Sequence, residues 1–246
     1  MHIALQLGTT HSRATRQNIT AMATTTPLRM GMLLFPGFQI LDVFGPLDVI
    51  NVLSRSEPID LSIIAETLQP VSNRSDKMTL TQCEQRVVPT HTIASVPALD
   101  VLIVPGGFGT RAPAHDVDAL VAYIRSSYPT LQTIISVCTG AGLLARAGVL
   151  DGRRATTNKN AFYDMTVLGP KTYWVARARW VQDGNVWTSA GVTAGTDATL
   201  AWVADKYGDK VAADTANYLE HERVLDPNDD PFAALRGIKD VPPQDE

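Results

Sequence analysis

The amino-acid sequence predicts an α/β domain with a mostly parallel central sheet and helices on both faces. Two observations carry this. Short, wholly apolar runs of strand length alternate with longer stretches of helical period, the pattern of strands buried on both faces. No internal repeat or linker divides the 246 residues, a length that suits one large domain.

Residues 28–35 (LRMGMLLF), closed by Pro36-Gly37, read as the first buried strand. Residues 41–53 place Leu41, Phe44, Val49, Val52 and Leu53 at helical spacing, with Gly45-Pro46 near the start of that helix. A second strand follows at 59–65. Residues 70–90 alternate apolar and polar around Asn73, Ser75 and Asp76, which predicts strands or a hairpin. Residues 101–104 (VLIV) form a buried strand running into Pro105-Gly106-Gly107-Phe108-Gly109, and 117–128 a helix. Another buried strand spans 131–137 (LQTIISV), followed by a helix over 140–147 that ends at Gly148. A hairpin is predicted over 174–187 around Asp183-Gly184, then helices over 196–207 and 210–222. The domain therefore occupies 28–225. Residues 226–246, rich in Pro and Asp, read as a tail lying loosely on the surface.

Residues 1–27 form an N-terminal extension without Asp or Glu, in which Arg13 and Arg16 sit among seven threonines and a serine. That composition resembles a mitochondrial transit segment; a disordered extension, or a working start at Met22, explains it equally. Otherwise a cytoplasmic protein is expected. The net charge of −4 gives no basic footprint for nucleic acid, and no apolar stretch is long enough for a transmembrane helix. Two cysteines, Cys83 and Cys138, are too few for a disulfide scaffold and favour a reducing compartment. No CxxC, HxxH or paired-His spacing indicates a metal site.

The segment from Ile134 to Gly142 (IISVCTGAG) is the most informative: a strand stops, one reactive-type residue follows, and small residues open a helix. Helix N-terminal amides should favour a thiolate at Cys138 and lower its pKa. A buried, inert cysteine is the plainer reading. The glycines after Pro105 could bring backbone amides to a ligand, or could form an ordinary strand-exit turn. Asp42 could cap the first helix, or stand as an acid beside Cys138 if the first strand neighbours the Cys138 strand. His91 and His115 read as structural, and His221 as a solvated helix-face histidine among Glu220, Glu222 and Arg223.

Together, residues 40–46 (ILDVFGP), Pro105-Gly106-Gly107 and residues 136–140 (SVCTG) resemble the DJ-1/PfpI superfamily. The runs 147–157 (AGVLDGRRATT), Asp183-Gly184-Asn185 and 189–197 (SAGVTAGTD) are most similar to its isocyanide hydratases. The resemblance spans about residues 28–225. It implies a flavodoxin-like sandwich, a homodimer, and hydration of an isocyanide to an N-formamide without metal or organic cofactor. It makes Cys138 the nucleophile and Asp42 its acid. The amides of Gly106 and Gly107 and the amide and hydroxyl of Thr139 would line the reaction centre, with Asp197 an acid near the pocket. One departure is visible: where those hydratases commonly carry His-Trp, this chain has Asn158-Lys159. Two rivals share the scaffold: a cysteine-dependent hydrolase, lyase or hydratase of another small electrophile, and a non-enzymatic redox sensor whose Cys138 is oxidised to a sulfinate.

Overall fold

The computed structural model describes residues 26–75, 83–111 and 113–244. The extension at 1–25 and the His115 side chain lie outside the described residues. The elements in chain order are β1 (Leu28–Leu33), α1 (Ile40–Leu53), β2 (Ile59–Ala65), β3 (Val71–Ser72), β4 (Arg86–Val87), β5 (His91–Thr92) and β6 (Val101–Val104). There follow α2 (Ala114–Ser127), β7 (Thr133–Ser136), α3 (Gly140–Arg146), β8 (Arg154–Ala155), α4 (Phe162–Thr166), β9 (Tyr173–Trp174), β10 (Trp180–Asp183) and β11 (Val186–Ser189). The chain then runs through α5 (Ala194–Tyr207), α6 (Asp209–Tyr218) and α7 (Pro231–Arg236).

The central sheet has the order β10-β11-β7-β6-β1-β2-β5, and every pairing is parallel except the β10–β11 hairpin. β6 and β7 are buried along their whole length, as strands covered on both faces must be. The first strand does not neighbour the Cys138 strand: β6 lies between them. The antiparallel pair expected at 70–90 is β3 with β4. Tyr173–Trp174 leaves the predicted hairpin and pairs instead with β8, because Arg153 O and Ala155 O accept from Tyr173 N and Val175 N.

The end of the chain is not loose. Val241 bridges to Trp174 through bonds of 2.8 and 2.9 Å, Asp240 accepts from Ala176 N, and buried Asp230 accepts from Phe232 N at the start of α7. These are long-range partners, which composition cannot reveal.

Candidate active site

Cys138 stands in the left-handed region, φ 58°, where a non-glycine residue is strained by about 1–3 kcal/mol and persists only if its surroundings impose it. They do. Val137 N donates to Val104 O, Gly140 N donates to Val137 O, and the Thr157 hydroxyl holds the Cys138 carbonyl at 2.8 Å. A side chain at Gly140 would meet Val104 O at 2.4 Å, so only glycine lets α3 begin against the exit of β6. The thiol is thereby presented at the carboxyl end of the sheet, over the start of a helix.

Asp42 comes from the first turn of α1. It does not cap the helix: Gln39 occupies the N-cap position, and no side chain bonds there. The wholly buried carboxylate turns inward instead, and its Oδ2 accepts from Gly106 N at 2.9 Å. It reaches Cys138 across the β6 exit, where any side chain at Gly106 would meet Thr139 N at 2.5 Å and Asp42 Oδ2 at 2.9 Å. Asp42 Oδ1 is buried without a hydrogen-bond partner. Burial pushes the carboxyl up to about 7, against the lowering effect of the Gly106 amide and of the adjacent thiol.

The expected thiolate is overturned. Burial, and then the charge of Asp42, push the Cys138 thiol up to about 12, against the Thr139 and Asn158 amides. The helix terminus is too weak to prevail, because desolvation and a like charge act together. Between those two values the pair holds one proton and one negative charge, so a nucleophilic sulfur must hand its proton to Asp42 as it reacts.

Gly107 lines the cleft above Cys138, and the amides of both glycines have partners within the protein. Gly106 N–H serves Asp42, and Gly107 N donates to Thr139 Oγ at 2.9 Å. Thr139 Oγ also receives the Thr110 hydroxyl. The donors turned toward the sulfur are Thr139 N–H and Asn158 Nδ2, the latter 3.1 Å from Sγ. Asn158 is held by its own Oδ1, which accepts from Asn160 N and Ala161 N in an Asx-type cap. The sequence gives Asn158 no expected part at the sulfur; its small polar side chain after Thr156-Thr157 is the available signal. Lys159 turns away to Thr156 Oγ and Asp230. The cleft above Cys138, about 140 Å³, is lined also by Gln39, Phe108, Arg111, Asn160 and Val192.

Asp197 does not line this cleft. It is buried on α5, where Oδ2 takes Arg179 Nε at 2.8 Å and Oδ1 takes His221 at 2.9 Å and Val224 N at 3.2 Å. His221 lies beyond the end of α6 and is a hydrogen-bond partner of buried Asp197 rather than a solvated helix residue. His91 bonds Thr90 on β5. Among the described residues no group of three His, Cys, Asp or Glu could hold a metal ion. No helix among them is long and apolar enough to cross a membrane.

The chain has relatives among known proteins. The family model described as DJ-1/PfpI matches residues 29–205. The chain belongs to the DJ-1/PfpI family. Within that family it is 34% identical over 194 residues to an isonitrile hydratase of Pseudomonas putida, covering 78% of this chain and 76% of that one. A solved ThiJ/PfpI family protein from Pseudomonas syringae superposes with a TM-score of 0.67 at 29% identity, covering 92% of this chain and 90% of the other. The HTH-type transcriptional regulator GbdR of Pseudomonas aeruginosa is 27% identical over 144 residues, 58% of this chain but 38% of the regulator. The DJ-1/PfpI match stops at residue 205, so α6, α7 and the docked C-terminal segment fall outside it.

Proposed function

We propose that this protein is a cysteine-dependent hydratase that converts an isocyanide to an N-formamide. The observation that carries the reading is the Cys138–Asp42 pair, a strained elbow thiol beside a buried carboxylate with no ion-pair partner among the described residues, opening into a small cleft. The similarity to an isonitrile hydratase supports it.

Above pH about 7 Asp42 is ionised and the thiol is protonated. As Sγ bonds to the terminal carbon of R–NC, its proton passes to Asp42, which returns it to the same carbon. The product is a thioimidate, R–N=CH–S–Cys138. Asp42, again a carboxylate, then takes a proton from water, and the hydroxide adds to the carbon. Asp42 gives that proton to nitrogen, the C–S bond breaks, and the hydroxyl proton passes to the departing sulfur, so R–NH–CHO leaves with the thiol restored. Asn158 Nδ2 and Thr139 N–H stabilise negative charge on sulfur while it forms and when it departs. The residues that replace His-Trp thus contribute one amide to the sulfur and one lysine to the scaffold. As part of this proposal the protein works as a homodimer, and sedimentation should show twice the 26.6 kDa chain mass.

The test is chromatographic detection of N-formamide from simple alkyl and aryl isocyanides. Wild-type protein should form it over many turnovers, and Cys138→Ala should form none. If wild type matches the Cys138→Ala background across the series, the hydratase reading is wrong. If no formamide forms and added peroxide instead converts Cys138 to a sulfinate, the redox-sensor reading replaces it.

A further inference from the structure

A second chamber adjoins the Cys138 cleft. The two share Asn158, Asn160 and Val192 as lining, and the second has about 250 Å³. Its far wall comes from the C-terminal segment, through Phe232 and Arg236 of α7, and from Arg179. Its charge is unbalanced. Arg236 is exposed and has no ion pair or hydrogen bond among the described residues. Arg179 uses Nε and Nη2 on Asp197, while Nη1 has no partner among the described residues. Asp230 is buried and committed to Lys159 at 3.8 Å, and Asp197 lies beneath Arg179 with Oδ1 committed to His221. At the inner mouth, Arg111 is exposed over the Phe108 ring with no carboxylate partner among the described residues. Val192, shared by both cavities, and Phe232, 46% exposed, give the second chamber apolar lining.

Resting on the hydratase reading, we infer that the second chamber receives a carboxylate carried on the R group of the substrate. The isocyanide carbon would lie at Cys138, an alkyl spacer along Val192 and Phe232, and the carboxylate between Arg236 and Nη1 of Arg179. A planar guanidinium matches a carboxylate with two parallel bonds, which a lysine cannot do. The substrate class is therefore an ω-isocyano carboxylate rather than a neutral isocyanide. Phe232 and Arg236 lie beyond the 29–205 family match, whereas Arg179, Asn158 and Val192 lie within it.

The experiment compares kcat/KM of the full-length protein on isocyano carboxylates with one to three methylenes and on their methyl esters. The acid should be preferred roughly ten- to hundredfold at its best length, and the preference should shrink with added salt. Arg236→Gln, at an exposed position, should collapse the acid-to-ester ratio, and Arg179→Gln should do so in protein whose fold is checked by circular dichroism. Arg55→Gln, at an exposed arginine outside both chambers, should leave the ratio alone. Equal use of acid and ester, or a ratio that Arg236→Gln does not move, overturns the inference while the hydratase reading stands. If no isocyanide is hydrated, the hydratase reading fails and calorimetry with the formamido carboxylates and their esters decides the chamber. Binding of the acid alone, lost in Arg236→Gln, keeps the carboxylate site; no binding removes it.

Discussion

Two aspartates of this protein are buried to nearly the same degree and have opposite surroundings. Asp197 is met by Arg179, His221 and the Val224 amide. Asp42 is met by one amide and a thiol, and one of its oxygens has no partner. A buried carboxylate fully supplied with donors and a cation ties elements together: Asp197 binds α5 to the segments before β10 and after α6. A buried carboxylate deprived of them holds its proton more tightly, so it can exchange one near neutral pH. The two carboxylates differ in their partners, not in their burial.

The sharpest way to break this comparison is to neutralise each acid. Asp42→Asn keeps the shape and can still accept from Gly106 N–H, but cannot carry a proton; formamide production should fall on the order of 10²- to 10⁴-fold. Unimpaired turnover would move the acid–base role elsewhere. In the wild type, kcat/KM should rise with pH through about 7, as Asp42 ionises.

Asp197→Ala should act on the fold. It leaves the largely buried Arg179 without its partner, and breaking such a pair costs about 3–5 kcal/mol. Denaturant melts should show that loss, while the folded fraction still hydrates a neutral isocyanide. A dead but stable protein would place Asp197 in the chemistry after all.

Asp42→Asn should shift stability the other way. Asp42 titrates near 7 in the fold against 3.8 in the unfolded chain. Between those values the unfolded chain releases a proton that the fold retains, so wild-type stability falls as pH rises from about 4 to about 7. The variant lacks that fall and should be roughly 2–4 kcal/mol more stable at pH 8. A variant that melts earlier at pH 8 would show that the charge is stabilised by something other than its visible partners.

The smallest effect concerns the sulfur. Asn158→Ala removes the only side-chain donor within hydrogen-bond distance of Sγ among the described residues. Thiolate absorbance should show Cys138 titrating higher than in the wild type, because a donor to the charged form has been lost. An unchanged titration would leave Thr139 N–H as sufficient. The same argument reverses the labelling order that a helix terminus alone predicts: exposed Cys83 should react with iodoacetamide before Cys138.

Much of this was legible in the sequence, because apolar runs can be placed only in a buried sheet and only small residues can follow an elbow. The strands at 59–65 and 101–104 coincide with β2 and β6, and IISVCTGAG marked the turn that carries Cys138. Motif order named the family before any coordinate did. What the tertiary structure decided was every relation between distant residues. It put β6 between β1 and β7, so that the Gly106 amide at the β6 exit holds Asp42 beside Cys138. It gave Asp197 to Arg179 and His221, turned Asn158 rather than Lys159 to the sulfur, and made a loose-looking tail into a chamber wall. Hydrophobic periodicity is a local property that each segment expresses alone. The proton affinity of a buried acid is set by which charges and dipoles arrive beside it from elsewhere in the chain, and those meet only when the chain has folded.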